Sequence, residues 1–504
     1  MTAVALGLLV ALQFPERAVR EVAALREGVT PAAWLAAHPQ DTLTIFRRDA
    51  VRENHASWCA RATRAETLGD GTRIVRYAYF YPPAPGPSLA LPQLEGERVI
   101  REQCLLGTIW LETPRTRPDS QAAATLASRT RDALAAVYGA VTPSPDAWFG
   151  RVPTDSQRRA MNGFGGAEAL SLGLHFFGAA AWRVPGRWQR DSAVIVSAYD
   201  GRLARTEPGR VLAFAYLPIA QLGSFAREVD REAAAERRST TLAVDAARLS
   251  GLGDAKVVQL VGLLVAAESA FTGRHPARPT AIDSSVVAAL GDWLASARGL
   301  PTTRRAAALL AADQIVGSQA MVYVRAQRQD SARSALERLG AGFARDALGG
   351  GYNYTHTWLD EARRLDSAGP AGTLALLALL RSGFNENGMC GGGEDPMHRV
   401  IAAGEGLLAQ VPPLDPRTAA EVHRLVGDAY ADIVALAAGA GMEYTDTVTY
   451  VAEAPAARRN GIAHYRQSFV GDRDSPEARD AWLEAWRLIA GLPPSTTHFF
   501  CVYD

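Results

Sequence analysis

The sequence predicts an α+β N-terminal half, with small antiparallel sheets and helices, followed by an all-α half of irregular helical repeats. Runs rich in β-branched and aromatic residues are confined to the first part of the chain, whereas apolar residues recur at helical spacing from Ile219 onward. The chain has 504 residues, more than one hydrophobic core accommodates. We therefore divide it into a leader segment, an α+β region with a candidate subdomain boundary near residue 118, a helical domain and a set of helical hairpins, at residues 1–17, 18–222, 223–350 and 351–504.

The composition is that of a globular protein without net charge. Hydrophobic residues make up 48% of the chain and charged residues 21%, which argues against an intrinsically disordered protein. The 53 basic residues balance the 53 acidic ones, so no charge surplus favours nucleic acid or an anionic membrane. Lys256 is the only lysine, and this excess of Arg, together with abundant Ala, is typical of a GC-rich genome. We expect no nucleic-acid partner.

The leader segment contains an apolar run, Ala3–Leu12, of the length found in secretory signals. No basic residue precedes this run and no Ala-x-Ala cleavage site follows it. It is therefore either a signal that lacks its first residues or the first turns of a buried helix. No run in the chain reaches the roughly 18 apolar residues that a membrane span needs, so we expect no transmembrane helix.

The four cysteines favour an exported protein with disulfides. Their number is even, and none forms a Cys-x-x-Cys pair of the kind that binds zinc or performs redox chemistry. Cys59 and Cys104 fall on the first and third predicted strands and can pair only if those strands are neighbours. Cys390 is a candidate partner of Cys501.

In the α+β region, helical patterning covers Ala18–Leu25 and Pro31–Ala37, with Thr30 as an N-cap. A first sheet follows, with a Gly-Asp-Gly hairpin turn at Gly69 and a proline-rich loop at residues 82–87. Its predicted strands are Trp58–Leu68, Thr72–Tyr81 and Arg101–Glu112.

A helix and a second sheet complete the α+β region. Apolar and small residues line one face of Asp119–Tyr138, which predicts a helix. Pro185-Gly186 is a turn sequence, because proline presets the first central angle and glycine adopts the positive one. The strands predicted around and after it are Leu170–Val184, Arg187–Tyr199 and Arg210–Leu217.

The helical half begins with four predicted helices and then shows one arrangement three times. The four helices are Glu228–Arg238, Asp254–Phe271, Ala281–Arg298 and Thr303–Gln327. In each later copy a helix runs into an Asp/Pro turn and a second helix begins, because proline fits the first turn of a helix and ends the previous one. The turn prolines are Pro370, Pro416 and Pro476, and Gly439–Pro455 is a predicted insertion between helices.

The middle hairpin resembles a tetratricopeptide-type repeat. Its helix reads His423-Arg-Leu-Val426-Gly427-Asp-Ala-Tyr430, with a large, an aliphatic, a small and an aromatic residue at the family's spacing. The turn prolines do not recur at the family's roughly 34-residue interval, so the repeat is irregular. The resemblance covers at most the last 150 residues or so.

This resemblance implies a groove that holds a peptide or protein partner. Six residues are expected to pack against neighbouring helices: Val422, Leu425, Val426, Ala429, Tyr430 and Ile433. Four polar residues spaced by three or four would form a stripe on the opposite side, facing the groove: Glu421, Arg424, Asp428 and Asp432.

Two function classes follow from the sequence. The first is a non-catalytic scaffold for protein or peptide partners, as an exported bacterial-type protein without a cofactor. The second is an enzyme, with hydrolysis as one option, whose site lies in a cleft between the α+β region and the helical half and gathers Glu168, His175 and Asp191. The common zinc-protease, serine-hydrolase and dinucleotide motifs do not occur in the sequence.

A glycine-rich stretch, Gly383–Glu394, resembles an EF-hand calcium loop at Asn385, Asn387 and Glu394. Gly383 stands at the first loop position, where the family has Asp. Because Glu394 is then the only carboxylate at a ligand position, we expect an ordinary connection between helices and no bound metal.

Overall fold

The computed structural model describes residues 13–26, 28–46, 58–69, 71–113, 120–139, 180–184, 192–199, 210–216, 241–252, 256, 259, 262, 281–325, 329–345, 352–382, 396–438, 447–473 and 475–495. The chain divides into two compact units. The first unit comprises residues 1–230, 433–462 and 479–497, and the second comprises residues 231–432, 463–478 and 498–504. An α+β N-terminal region followed by a mostly helical half is therefore confirmed.

The first unit contains one antiparallel sheet of seven strands in the order β1-β2-β3-β4-β7-β6-β5. The strands are β1 Thr42–Ile45, β2 Ala60–Thr67, β3 Arg73–Tyr81, β4 Leu105–Glu112, β5 Ala180–Val184, β6 Ser192–Tyr199 and β7 Arg210–Tyr216.

The prediction of two separate sheets is wrong, because β4 pairs with β7. Thr108 lies opposite Tyr216, and the ladder continues to Glu112 opposite Leu212. Most residues of β4 are buried on both faces, as expected for a central strand and not for the edge of a small sheet. The candidate boundary near residue 118 falls between strands that hydrogen-bond in one sheet.

The four helices of the N-terminal region are α1 Phe14–Ala24, α2 Pro31–Ala37, α3 Glu97–Gln103 and α4 Ser120–Tyr138. Thr30 caps α2 as predicted, since its hydroxyl accepts a hydrogen bond from the Ala33 amide at 3.2 Å. The predicted strand Arg101–Glu112 is in fact the end of α3 followed by β4. Helix α3 buries Val99 and Ile100 and ends at Gln103, and the strand begins at Leu105.

A disulfide joins Cys59 to Cys104, with their Cα atoms 6.6 Å apart. The two strands that follow these cysteines are not neighbours, because β3 lies between them. Both strands run antiparallel to β3, so their first residues lie at the same end of the sheet. The two cysteines lie just before these strands, at that end of the sheet, and are close enough to bond. The predicted pair is therefore confirmed, but the condition that the two strands be neighbours is wrong.

The second unit is built mainly of helices. Its core includes the buried run Ala306–Ala312 of α6, and the Trp293 indole donates a hydrogen bond to the Ala308 carbonyl at 2.8 Å. Residues 241–250 are also helical. The helices after residue 280 are α5 Ala281–Ala297, α6 Thr302–Arg325, α7 Gln329–Arg338, α8 Thr357–Leu365, α9 Pro370–Ser382, α10 Pro396–Leu408, α11 Pro416–Ala437, α12 Thr447–Gly471 and α13 Pro476–Ala490. The last residues of α11, the first part of α12 and most of α13 belong to the first unit.

A short hairpin, β8 Phe343–Arg345 and β9 Tyr352–Tyr354, interrupts the helices where only helical patterning was expected. Gly340 ends α7 with a φ of +99°, which turns the chain into the hairpin. The rings of Phe343 and Tyr354 then pack against each other with centroids 5.6 Å apart.

The three turn prolines begin helices as predicted: Pro370 begins α9, Pro416 begins α11 and Pro476 begins α13. The predicted insertion is shorter than expected, since α12 begins at Thr447 and continues through Pro455. None of the helices within the described residues is long and apolar enough to cross a membrane.

Candidate functional site

A buried carboxylate on α6 contacts two side chains, one from the last residue of β9 and one from the N-cap position of α8. Asp313 has no exposed surface, and its two oxygens face different partners. The Tyr354 hydroxyl donates a hydrogen bond to Oδ1 at 2.7 Å, and His356 Nδ1 lies 3.0 Å from Oδ2. We call Asp313, Tyr354 and His356 the Asp–Tyr–His cluster.

The backbone at His356 adopts a left-handed conformation, with φ of +52° and ψ of +36°. Such a conformation is unfavourable for a residue with a Cβ, by about 1–2 kcal/mol. His356 occupies the N-cap position of α8, yet its side chain makes no cap hydrogen bond. The imidazole instead faces Asp313, so the local strain places this ring on the carboxylate.

The protonation state of Tyr354 follows from its burial. Burial and the neighbouring Asp313 charge raise the pKa of Tyr354 far above its usual value, so the phenol keeps its proton and donates a hydrogen bond to the carboxylate. An ionised Asp313 can only accept, which requires the proton of a neutral His356 to reside on Nδ1. Nε2 is then the basic nitrogen, and 22% of the His356 side chain is exposed.

Small residues surround the cluster. A Cβ built at Gly317 would lie 3.7 Å from His356 Cε1, and one at Gly342 would collide with the hydroxyls of Thr355 and Thr357. The backbone therefore approaches the segment that carries His356 closely at Gly342, whereas the contact at Gly317 is an ordinary van der Waals one. The resulting arrangement has the parts of a general-base unit: a titratable imidazole, a buried acceptor that orients it, and a donor that fixes the acceptor.

A second polar cluster joins α11 to α12. His423 Nδ1 and His464 Nδ1 lie 3.0 Å apart, with ring centroids separated by 5.1 Å. The Tyr430 ring lies 5.7 Å from the His464 ring, and its hydroxyl donates to Glu405 on α10 at 3.0 Å. Burial, and then the charge of His464, lowers the pKa of His423 to about 4.

The predicted polar stripe on α11 does not form one open face. Asp432 has no exposed surface and Asp428 is 8% exposed, so these two residues do not face an open groove as predicted. Asp428 accepts hydrogen bonds from the Tyr465 hydroxyl at 2.9 Å and from Arg424. Glu421 forms a two-pronged ion pair with Arg381 of α9.

The residues expected to pack do so with one exception. Five are buried, namely Val422, Leu425, Val426, Ala429 and Ile433, whereas Tyr430 is half-buried. Helix α11 is covered on more sides than a two-faced pattern allows, because α9, α10 and α12 all contact it through polar side chains.

Several predicted site residues lie outside the described residues. They are the enzyme candidates Glu168, His175 and Asp191, the calcium-loop residues Asn385, Asn387 and Glu394, and the cysteines Cys390 and Cys501. Within the described ranges, no group of three or more His, Cys, Asp and Glu side chains is arranged to hold a metal ion.

The Asp–Tyr–His cluster was not found by sequence reasoning. Asp313 and His356 are 43 residues apart, and no known motif links them. The only local signal was an unexpected aspartate within the apolar run Ala306–Ile315 of a helix, which has to find partners when buried. No family model, no curated protein and no solved structure matches the chain.

Proposed function

We propose that the protein is an enzyme of the hydrolase type in which His356 acts as a general base oriented by Asp313. The observation that supports this most is the 3.0 Å contact between His356 Nδ1 and the fully buried Asp313 carboxylate. A carboxylate in this position selects the tautomer with a basic Nε2 and stabilises the imidazolium that forms when Nε2 accepts a proton.

In the proposed step, Nε2 of His356 removes a proton from a water molecule as that water attacks an electrophilic carbon or phosphorus atom. The proton is later returned from Nε2 to the leaving group, so the imidazole ends neutral. Asp313 accepts a hydrogen bond from Nδ1 throughout and so keeps the ring oriented. Tyr354 supports Asp313 without taking part in proton transfer, because its raised pKa keeps the phenol protonated.

The backbone strain argues for a role beyond packing. An N-cap position at the start of a helix is best occupied by Ser, Thr, Asp or Asn, whose side chains bond the first free amides. His356 forgoes that bond and adopts a positive φ. Strain of this kind is concentrated at sites where a side chain has to be held in one orientation.

The test is a screen of the full-length protein against chromogenic esters, amides, phosphates and glycosides. We expect turnover of at least one class, with kcat/KM lowered about 10²- to 10⁴-fold in both His356→Gln and Asp313→Asn. The exposed His398 of α10 gives a matched control, and His398→Gln should leave the rate unchanged. Turnover that survives both cluster substitutions in folded protein contradicts the proposal.

A second candidate, a scaffold for a peptide or protein partner, is favoured by the helices that begin at the three turn prolines. Of the stripe on α11, Glu421 and Arg424 are the two residues that are not fully buried, with 13% of each side chain exposed. In this proposal the tetratricopeptide-like hairpins present these two side chains to an extended peptide. Glu421→Gln with Arg424→Gln should then release partners that co-purify from the natural source. Partners retained by a folded double variant would exclude this surface.

We also propose that the protein is exported, because it contains the Cys59–Cys104 disulfide and structural disulfides persist in oxidising compartments. Mass spectrometry of protein isolated from its natural source under thiol-blocking conditions should find this bond intact. Recovery of both cysteines as blocked free thiols contradicts export.

A further inference from the structure

The N-terminal half of α11 meets the last turns of α12 in a close contact. A Cβ at Gly427 would lie 2.8 Å from Cδ1 of the Tyr465 ring, and one at Gly471 would lie 3.2 Å from the Ala420 Cβ. Only glycine lets the two backbones approach this closely. His423 and His464, which we call the imidazole pair, lie within this contact.

We propose that the imidazole pair makes the contact between α11 and α12 acid-sensitive, closed while the two rings share one proton and opened when both are protonated. This is a conformational response independent of the chemistry proposed for the Asp–Tyr–His cluster.

The proton count explains the response. At 3.0 Å, the two Nδ1 atoms form a hydrogen bond in which one nitrogen donates and the other accepts. When both rings are imidazolium ions, both nitrogens are donors and neither can accept. Two like charges also face each other in a half-buried contact, so the favourable bond becomes a repulsion.

The surrounding groups do not neutralise two positive charges. Glu405 of α10 is the one carboxylate that raises the pKa of His464, and burial outweighs it so that the pKa is still lowered. On α11, the Asp428 carboxylate is already engaged by Arg424 and by the Tyr465 hydroxyl.

Glu421, two residues before His423 on α11, is also paired. Glu421 of α11 is held by Arg381 of α9. Tyr430 contributes a neutral ring and donates its hydroxyl hydrogen to Glu405. Of the carboxylates of Glu405, Asp428 and Glu421, only that of Glu405 acts on the imidazole pair, and one carboxylate does not balance two imidazolium ions.

The direction of the pH effect follows from proton linkage. The pKa of His423 is about 4 in the closed contact and 6.5 for a free histidine, so the open state binds more protons. The closed contact is therefore fully favoured above pH 6.5 and loses its advantage as the pH falls toward 4. With these two values the open fraction rises by up to about 30-fold at pH 5 relative to pH 8.

Hydrogen–deuterium exchange of the full chain tests this proposal. Peptides covering residues 463–471 are followed at pH 8, 6 and 5, with rates corrected for the intrinsic pH dependence of amide exchange. The wild type should exchange faster at pH 5, by up to about 30-fold. His423→Gln and His464→Gln each remove one of the two charges, so we expect a much smaller pH effect in both.

His398→Gln on α10 is the matched control and should behave as wild type. Equal pH dependence in wild type and both imidazole variants overturns the proposal, as does a wild-type rate that does not change between pH 8 and pH 5. If one variant fails to fold, the other still distinguishes these outcomes. A second measurement, the nitrogen chemical shifts of the two rings, should show two titration steps below pH 6.5 and not one shared midpoint near it.

Discussion

Gly427 provides the sharpest test of how α11 and α12 pack. An alanine there would place its Cβ 2.8 Å from Cδ1 and 2.9 Å from Cε1 of the Tyr465 ring. The ring cannot turn aside easily, because Tyr465 is 1% exposed and its hydroxyl is bonded to Asp428 at 2.9 Å. Overpacking of this kind destabilises by about 1–3 kcal/mol.

Part of this loss is offset, since alanine is favoured over glycine inside a helix by about 1 kcal/mol. We therefore expect Gly427→Ala to lower the free energy of unfolding by up to about 2 kcal/mol. The matched control is Gly406→Ala on α10, where no atom lies within 4 Å of the added Cβ. The free energy of unfolding of that variant should exceed that of the wild type by about 0.5–1 kcal/mol.

The assay is urea denaturation of wild type and both variants, followed by the fluorescence and far-UV circular dichroism of the full chain. The two glycine substitutions should change the free energy of unfolding in opposite directions. A Gly427→Ala variant as stable as Gly406→Ala would show that α11 and α12 are not in close contact at this position.

Three further predictions concern links that stabilise single elements. Replacing Cys59 and Cys104 by alanine removes a covalent link between residues 45 positions apart, and should lower the free energy of unfolding by about 4 kcal/mol. A denaturant titration measures this loss, and an unchanged midpoint would contradict a structural disulfide. Asp366→Ala should cost about 1 kcal/mol, because its carboxylate accepts from the Ala371 amide at the start of α9, and Asp366→Asn should recover part of that loss in the same titration. Asp415→Ala should cost a similar amount near pH 7. Burial raises the pKa of Asp415, but hydrogen bonds from Thr418 and Arg417 outweigh it, so the pKa is lowered. The difference in stability from wild type should therefore shrink as the pH falls below 3.8, and it would be pH-independent if the cap were absent.

The local features of the sequence predicted the fold class and many element boundaries. Pro370, Pro416 and Pro476 begin helices because proline has no amide hydrogen to offer the preceding turn. Alternating aromatic residues marked β3, and the Gly-rich turn before it joined β2 to β3 as expected.

Long-range pairing could not be predicted in the same way. The bond between β4 and β7 depends on contacts across about a hundred residues, and nothing local distinguishes an edge strand from a strand awaiting a distant partner. The prediction of an open polar stripe on α11 was wrong for a related reason. Helical periodicity shows which side of a helix is most apolar, but Asp428 and Asp432 are polar residues buried by neighbours that other helices supply.

The candidate site was even less accessible from the sequence. Asp313, Tyr354 and His356 come from three different elements, and they meet only because the β8–β9 hairpin turns the chain back toward α6. The residue pattern of that segment predicts helix, so the β8–β9 hairpin that brings the three residues together was not predicted. The left-handed backbone at His356 likewise has no sequence signal, since His in this region is usually helical or extended.

The tautomer of His356 tests the central claim most directly. Nitrogen-15 NMR of the full chain, labelled at histidine and assigned with His356→Gln, reports which ring nitrogen carries the proton at pH 8. The account predicts a protonated Nδ1 held by Asp313 and an unprotonated Nε2, with that preference lost in Asp313→Asn. A proton on Nε2 with an unprotonated Nδ1, or a tautomer that does not respond to Asp313→Asn, would contradict the assignment of Asp313 and His356 as one acid–base unit.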